Sequence, residues 1–400
     1  MPASLTPGRS IRLGAAVLAA GVLMASCANL QPGVASSPSS DRSPTPSPTP
    51  CSNQIVLSKW TIDRLAAQVV AVPVEEADVG AVAAEVSQGV GGVLLFGATA
   101  PADLGSELTS MESTAPGGIR PFVMTDEEGG GVQRMANLVG SIPWARQMGS
   151  TMTPAQIQSL AESVGKAMLQ QGVTMDLAPV LDVDGGDGPN ATDPDGWRSF
   201  SDDVTTATSD GLAFAAGLEA AGVIPVVKHF PGLGGASGNT DDGPASTLPY
   251  STLMGSGLLP FEAAVSARLP AVMVSNATVP GLTTVPASLS ASVIQGVLVG
   301  QLHYQGLILT DSLDALAISD LGISVAQASV EAIAAGADMI LFSSGDPAQV
   351  LGSIQAAMVA GVADGELSKA ELVGAAGKVL RAKEVELCPS RPSPHPSSHS

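Results

Sequence analysis

The densest group of residues that could do chemistry begins at Lys228 and His229, which end an apolar run and lead into a glycine-rich loop over 232–238. A buried lysine is costly unless a partner holds its charge, so this pair favours a binding or catalytic site. A histidine bonded to a backbone carbonyl is the structural alternative for His229. We expect both side chains to take part in the function.

Asp311 follows another apolar run and is itself followed by Ser312 and Asp314. A carboxylate at the end of a buried strand can serve as a nucleophile, a base or a metal ligand. The alternative is that Asp311 caps the helix that follows. We favour a functional carboxylate.

A run of acidic residues from Asp126 to Glu128 precedes three glycines and then Arg134. No regular ligand spacing accompanies the run, so a carboxylate that binds substrate hydroxyls is a better interpretation than a cation site. The loop from Asp182 to Asp187 begins like a calcium loop but lacks the glutamate at the required later offset. No nucleotide-binding glycine pattern follows an apolar run either. The sequence therefore predicts no metal site and no organic cofactor.

Apolar runs that could be strands alternate with helical segments between Cys51 and Cys388. Because the runs are continuously apolar, they suit parallel strands that are buried on both faces. The strands are predicted at Val69–Val74, Gly92–Phe96, Pro121–Thr125, Val173–Pro179, Ile224–His229, Ala271–Asn276, Gly306–Thr310 and Ala337–Phe342. The helices between them include Pro154–Gln171, Asp203–Ala221, Leu259–Ala267, Ala291–Leu302 and Val325–Ala335.

This alternation predicts a single-domain (β/α)₈ barrel of the α/β class over residues 51–388, with a doubly wound sheet as the alternative. A barrel gathers the residues at the carboxyl ends of its strands around one mouth, whereas an open sheet would spread them along an edge. Polar residues follow six of the strands: Asp126, Glu127 and Glu128, Asp182, Lys228 and His229, Ser275 and Asn276, Asp311, and Ser343 and Ser344. Their number favours the barrel.

The chain of 400 residues has 17 lysines and arginines against 37 aspartates and glutamates, for a formal net charge of −20. This balance argues against a nucleic-acid binder, because the chain has too few cations to neutralise a run of phosphates. The aromatic residues are 7 Phe, 3 Trp and 2 Tyr. So few rings argue against an extended ligand surface that works by stacking.

Residues 1–27 resemble an export signal. Arg9 and Arg12 precede an apolar run from Leu13 to Met24, which is too short to span a membrane as a helix. Small residues then lead to Cys27, as in a bacterial lipobox, with an ordinary cleaved signal as the alternative. We expect an exported protein anchored to the outer face of the cell membrane by a lipid on Cys27.

Proline, serine and threonine dominate residues 28–50, and a similar tail covers 389–400. Neither segment can bury much apolar surface, so we expect an extended spacer and a disordered tail. Cys51 and Cys388 remain, and they bracket the predicted barrel. In an oxidising compartment a disulfide between them is favoured, with two free thiols as the alternative.

Together these segments resemble the N-terminal barrel domain of family 3 glycoside hydrolases, and within it the exo-acting β-N-acetylglucosaminidases. The resemblance runs in order over nearly the whole body of the chain. It rests on these motifs: Asp126-x-Glu128-Gly129-Gly130-x-Val132-Gln133-Arg134, Ala178-Pro179-Val180-x-Asp182-Val183, Arg198-Ser199-Phe200, Lys228-His229-Phe230-Pro231-Gly232, Pro286-Ala287-Ser288-Leu289-Ser290 and Thr310-Asp311.

The resemblance implies a retaining mechanism in which Asp311 is the nucleophile and forms a glycosyl-enzyme intermediate. An oxocarbenium-like transition state needs a nearby carboxylate, and fixed contacts to the hydroxyls position the sugar ring. Charged residues are implied to make these contacts with one terminal sugar: Asp126, Arg134, Arg198, Lys228 and His229. The scarce aromatic residues suit such a small pocket.

The chain departs from the family pattern where the proton donor is expected. The subgroup usually reads Lys-His-Phe-Pro-Gly-His-Gly and, a few residues later, Asp-Ser-His, whose aspartate and histidine form the acid/base pair. Here Leu233 replaces the first of these histidines, and the later triplet reads Asn239-Thr240-Asp241. Asp241 therefore stands in place of the acid/base histidine, and burial or a neighbour such as Asp242 could raise its pKa enough for it to donate a proton.

Two further positions differ from the family, with Gly131 in place of an arginine and Ala315 in place of a methionine. We expect these changes to leave the fold intact and to bear on activity and on the preference for an N-acetylated sugar.

The resemblance implies a retaining exo-acting β-glycosidase of the β-N-acetylhexosaminidase type, or of the β-glucosidase type, that hydrolyses O-glycosyl bonds of sugars derived from the cell wall, with Asp311 as nucleophile and Asp241 as acid/base. The alternative is a sugar-binding pseudoenzyme that lacks the acid/base pair. A solute-binding lipoprotein would need two lobes and a hinge, against which the eightfold alternation argues. We expect a monomer that binds carbohydrate, does not bind nucleic acid, and meets the membrane through its lipid anchor.

Overall fold

Eight parallel strands close into a barrel in the computed structural model, which describes residues 51–388. The predicted signal segment with Cys27, the spacer 28–50 and the tail 389–400 lie outside the described residues. The barrel strands are β1 Val70–Glu75, β2 Gly92–Phe96, β3 Phe122–Thr125, β4 Met175–Asp176, β5 Ile224–Phe230, β6 Ala271–Val274, β7 Leu307–Ser312 and β8 Met339–Leu341. Strand β1 pairs with both β2 and β8, so the sheet has no edge. The predicted barrel is confirmed, and the doubly wound alternative is wrong.

Strand β4 is shorter than the predicted Val173–Pro179, because only Met175–Asp176 forms a regular ladder. Pro179 has no N–H to donate to a neighbouring strand. Beyond Asp176 the chain still runs alongside β5 through single hydrogen bonds, such as that from Lys228 N to the Pro179 carbonyl at 3.2 Å.

Apolar side chains alternate between the barrel interior and the layer beneath the helices, which explains the continuously apolar strands. Val123 belongs to the outer cluster, whereas its neighbours Phe122 and Met124 belong to the interior. Val379, from the last helix, also joins the interior cluster. The strands and the segments that continue them fill the interior with Ala71, Leu94, Phe122, Met124, Met175, Leu177, Val226, Ala271, Met273, Leu307, Leu309, Met339 and Leu341.

The helices surround the barrel, and the predicted segments are confirmed. Gly222 and Gly336 end two of them with left-handed φ angles of 87° and 110°, which turn the chain toward the next strand. The longer helices are Ile62–Gln68, Ala83–Gln88, Leu104–Glu112, Ala145–Thr151, Pro154–Gln170, Val204–Ala221, Leu259–Ser266, Val325–Ala335, Pro347–Asp364 and Lys369–Ala382, with a π-helix at Ser292–Gln301. The shorter α-helices are Asn53–Leu57, Ala136–Val139, Tyr250–Leu253 and Leu316–Ser319, and the 3₁₀ segments are Glu76–Val82, Pro116–Gly118, Gly196–Arg198 and Ala287–Leu289.

The strand register is irregular where β5 and β7 approach their carboxyl ends. A step of three residues in β5 opposes a step of two in β6, and the same mismatch occurs between β7 and β8. Such extra residues re-aim side chains and are common beside active sites. Here the irregular steps contain Lys228 and His229 in β5 and Asp311 in β7.

The first and last described residues are joined. A disulfide links Cys51 to Cys388, whose Cα atoms lie 5.8 Å apart. Asn53 adds two hydrogen bonds of 2.7 Å, from its Nδ2 to the Val385 carbonyl and from Leu387 N to its Oδ1. Within residues 51–388, no helix combines the length and the apolarity needed to cross a bilayer.

Candidate active site

One cavity opens at the carboxyl ends of the strands and has a volume of about 330 Å³. Every residue predicted for catalysis or sugar binding lines it. The polar lining consists of Asp126, Glu128, Arg134, Arg198, Lys228, His229, Asn239, Thr240, Asp241, Asp311, Ser312 and Ser343. A larger cavity of about 700 Å³, beside Cys51 and Lys378, contains none of the predicted site residues. The smaller cavity is therefore the candidate active site.

Glu128 holds the cationic side of this site in place, although the sequence assigned it no role. Its buried carboxylate accepts hydrogen bonds from Arg198 Nε at 2.8 Å and Nη2 at 2.7 Å, and its Oε1 lies 2.6 Å from Lys228 Nζ. Burial alone would raise the pKa of Glu128, but the Arg198 and Lys228 cations hold it well below its usual range. Glu128 stays ionised, and its two-point contact fixes the plane of the guanidinium.

Asp126 lies between the amine of Lys228 and the guanidinium of Arg134. Its Oδ1 accepts a hydrogen bond from Lys228 Nζ at 2.7 Å, and its Oδ2 lies 3.7 Å from Arg134 Nη2. Burial alone would lower the pKa of Lys228, whereas the carboxylates of Asp126 and Glu128 raise it above its ordinary value. The amine is therefore charged, and the cluster offers both donors and acceptors to sugar hydroxyls.

Glu127 positions Arg134 through the backbone. Its Oε1 accepts hydrogen bonds from the N–H groups of Arg134 and Met135, both at 2.6 Å. Its own N–H donates to Asp176 Oδ1 at 2.9 Å, which ties the short hairpin Glu127–Gln133 to the end of β4. Burial raises the pKa of Glu127 to about 7.

Asp182 fixes the ring of His229. Their Oδ2 and Nδ1 atoms lie 2.7 Å apart, and Asp182 also accepts the N–H groups of His229 at 3.0 Å and Leu233 at 2.6 Å. Nε2 is left as the ring nitrogen available to a ligand. Burial, reinforced by the Arg198 cation, lowers the pKa of His229 to about 4, so the ring is uncharged at neutral pH. It can hydrogen-bond a hydroxyl without adding charge.

Asp195 is buried beside this pair, with its Oδ1 3.9 Å from His229 Nδ1 and 3.8 Å from Arg198 Nη1. Ligand-type atoms of Asp182, Asp195 and His229 lie within 4.8 Å of one another. However, Asp182 and His229 already bond to each other, and Asp182 accepts two backbone N–H groups as well. Burial raises the pKa of Asp195 well above its ordinary value, and the neighbouring Asp182 carboxyl adds to the rise.

Asp311 lies in the cavity wall near the end of β7, and its Oδ1 accepts a hydrogen bond from Ser312 N at 2.7 Å. Burial raises the pKa of Asp311, and the Asp241 carboxylate adds to the rise. Asp314 ties the surrounding loops together by accepting hydrogen bonds from Ser312 Oγ at 2.7 Å and Ser343 N at 2.8 Å. The arrangement is a carboxylate on a rigid strand, which can attack a carbon held in the cavity.

Asp241 reaches the same cavity from the loop after β5. The loop is held because the carbonyl of Thr240 accepts a hydrogen bond from Ala317 N at 3.0 Å. Much of the Asp241 surface is open to solvent, yet partial desolvation raises its pKa, and the Asp242 carboxylate adds to the rise against the opposing Arg198 cation. A raised pKa is what a carboxyl proton donor needs near neutral pH.

Sequence reasoning missed the supporting residues of the site. Asp126 and Glu128 are two positions apart in an extended segment and so share a face, a signal that could have identified Glu128. Asp195 carries no comparable signal, because its importance comes from burial beside His229.

The sequence model of the Glycosyl hydrolase family 3 N terminal domain matches residues 61–382. This chain belongs to glycoside hydrolase family 3. Beta-hexosaminidase LpqI of Mycobacterium tuberculosis is 38% identical to it over 258 residues, which make up 62% of this chain and 66% of that relative. The match thus spans slightly less than two thirds of the relative.

Solved structures with the family 3 fold superimpose on the barrel. A glycosyl hydrolase of the GH3 family from Mycobacterium smegmatis has a TM-score of 0.74 and 35% identity, covering 82% of this chain and 98% of that one. The Beta-N-acetylhexosaminidase from Beutenbergia cavernae has a TM-score of 0.72 and 31% identity, covering 82% and 100%. The predicted family resemblance is confirmed.

Proposed function

We propose that this family 3 protein is a retaining exo-glycosidase of the β-N-acetylhexosaminidase type. The carrying observation is that two carboxyl groups, Asp311 from strand β7 and Asp241 from the loop after β5, line one cavity together with the residues that can bind hydroxyls. Similarity to the beta-hexosaminidases supports the choice of an N-acetylated sugar. Fragments of the cell wall are the substrates we propose.

In the first step, the ionised Asp311 carboxylate attacks the anomeric carbon while Asp241 donates its proton to the departing glycosidic oxygen. The covalent glycosyl-enzyme forms as the bond to the leaving group breaks. Lys228 and His229 orient the ring through its hydroxyls, so that the anomeric carbon faces Asp311.

In the second step, the now ionised Asp241 takes a proton from water, and the water oxygen attacks the same carbon and releases Asp311. Two inversions leave the sugar with its original configuration. The raised pKa of Asp241 suits this double role, because the group must lose and regain one proton in each cycle.

A sugar-binding pseudoenzyme is the second candidate. The observation in its favour is that Leu233 is buried where the family usually has a histidine, while Asp241 is exposed. In this case the cavity would bind the terminal sugar and release nothing.

The test is to incubate the full-length chain with aryl β-N-acetylglucosaminides whose leaving groups differ in acidity. We expect release by the wild type and at least a thousandfold loss in Asp311→Ala, on the order seen when a catalytic carboxylate is removed. Asp241→Asn should slow poor leaving groups more than good ones, because a good leaving group needs little proton donation. Failure of the wild type to exceed Asp311→Ala on any β-glycoside would favour the pseudoenzyme.

We propose, further, that the protein is exported and lipid-anchored at Cys27. The support is the sequence of residues 1–27, which lie outside the described structure. Cells expressing the chain and fed a labelled fatty acid should incorporate label into the wild type and not into Cys27→Ala. Equal labelling of both proteins would reject the anchor.

A further inference from the structure

Trp197 is 45% exposed, although the chain has only 3 tryptophans and the described region buries most of its large apolar side chains. It lies in the turn Gly196–Arg198, immediately before the arginine that enters the cavity. Pro194 and Arg198, which flank it in the chain, both line the cavity, although Trp197 itself does not. An exposed aromatic ring at such a place is a candidate ligand contact.

Trp197 does not stand alone, because Trp144 packs against it edge to face with ring centroids 6.4 Å apart and planes at 83°. The ring of Trp144 lies against the glycine hairpin. A Cβ at Gly130 would come within 1.9 Å of it, and a Cβ at Gly131 within 2.8 Å. The hairpin must therefore be glycine at these positions for Trp144 to sit where it supports Trp197.

The hairpin that contacts Trp144 and the turn that carries Trp197 are joined at the pocket. Glu128, just before the hairpin glycines, accepts two hydrogen bonds from Arg198, the residue after Trp197. Trp197 N also donates to the Gly188 carbonyl at 2.7 Å, which anchors the turn beside the pocket residue Pro189. The turn that carries Trp197 is thus fixed beside the cavity, because Pro189, Pro194 and Arg198 around it all line the cavity.

We propose that Trp197, supported by Trp144, forms a platform for the second sugar ring of the substrate, the ring on the leaving-group side of the scissile bond. The apolar C–H face of a pyranose matches the face of an indole, while the pocket behind Arg198 binds the terminal sugar through its hydroxyls. The inference rests on the proposed function for the choice of sugar. The scarce aromatic residues predicted a small pocket for one terminal sugar. The proposed platform adds a single stacking contact, from one aromatic pair to one further sugar ring.

Binding to the full-length Asp311→Ala protein tests the platform independently of catalysis. By calorimetry, we expect the β-1,4-linked disaccharide of N-acetylglucosamine to bind about tenfold more tightly than the monosaccharide, as one aromatic stacking contact would give. Adding Trp197→Ala should remove that preference and leave monosaccharide affinity unchanged. Leu169→Ala, which alters an exposed apolar residue on the helix Pro154–Gln170, is the control and should retain the preference for the disaccharide.

An unchanged preference in Trp197→Ala, or no preference in the Asp311→Ala protein, overturns the platform. If Trp197→Ala also weakens binding of the monosaccharide by displacing Arg198, the disaccharide preference is measured in Trp197→Tyr and Trp197→Leu. Tyr must keep the preference and Leu must lose it, and equal behaviour of the two rejects the proposal. Loss of the proposed enzymatic function would appear separately, as absent release from aryl glycosides by the wild type.

Discussion

The carboxylate of Glu128 meets the guanidinium of Arg198 in a two-point contact at 2.7 and 2.8 Å. The same carboxylate lies 2.6 Å from Lys228 Nζ, so one buried anion holds two cations that face the sugar pocket. The geometry explains how a cavity can display positive groups to a neutral ligand without those groups moving apart. We therefore expect the loss of Glu128 to lower the stability of the fold near the site.

Glu128→Gln should destabilise the protein by about 3 kcal/mol, because it leaves two buried cations with less countercharge. Unfolding in denaturant measures the loss. Glu162→Gln is the matched control, since it breaks an exposed pair with Lys166 and should cost less than about 1 kcal/mol. Equal losses in the two variants would mean that Glu128 is not the anchor described here.

The barrel was predictable because its strands are apolar on both faces, and Lys228, His229 and Asp311 were predictable because they interrupt that pattern at strand ends. The role of Glu128 was not, since its partner Arg198 lies 70 residues away in the chain. Asp195 shows the same limit, because only folding buries it beside His229. Local patterns identify elements and their ends, whereas pairings across loops depend on the closed barrel.

Replacing Asp242 by asparagine should shift the basic limb of the kcat/KM profile to lower pH. The Asp242 carboxylate helps to raise the pKa of Asp241, so its removal lets the proposed proton donor ionise earlier. The comparison is a pH series with an aryl glycoside that has a poor leaving group. Asp364→Asn makes the same charge change at the far end of a helix and should leave the profile in place. A basic limb that stays at the same pH would contradict the role of Asp241 as the proton donor.

Glu127→Gln should gain stability relative to the wild type as pH rises. Burial raises the pKa of Glu127 from 4.5 to about 7, so the folded protein keeps a proton that the unfolded chain releases between these values. The favourable contribution of this group is therefore complete below pH 4.5 and lost as the pH rises through 7. Between pH 4.5 and 8, the unfolding free energy of the variant minus that of the wild type should increase on the order of 3 kcal/mol.

Chemical denaturation at a series of pH values measures this difference. Glu107→Gln changes an exposed carboxylate on the helix Leu104–Glu112 and serves as the control, with a difference that stays flat. A flat difference for Glu127→Gln as well would show that Glu127 ionises normally in the folded protein.

Removing the link between Cys51 and Cys388 should lower the unfolding free energy by about 2–5 kcal/mol, because the bridge restrains nearly the whole barrel in the unfolded chain. The double serine variant should unfold earlier, and a reducing agent should have no further effect on it. Mass spectrometry of non-reduced peptides provides the direct check. Recovery of Cys51 and Cys388 only in separate, unlinked peptides would contradict the bridge.

The central claim, that Asp311 forms a covalent bond to the sugar, is tested most directly by trapping the intermediate. The full-length chain is incubated with a fluorinated N-acetylglucosaminyl fluoride, which forms the glycosyl-enzyme but releases it slowly, and is then digested and weighed by mass spectrometry. The account predicts one added glycosyl group on the peptide that contains Asp311 and none in Asp311→Ala. An adduct on another carboxylate, or no adduct together with no turnover of any β-glycoside, would contradict it.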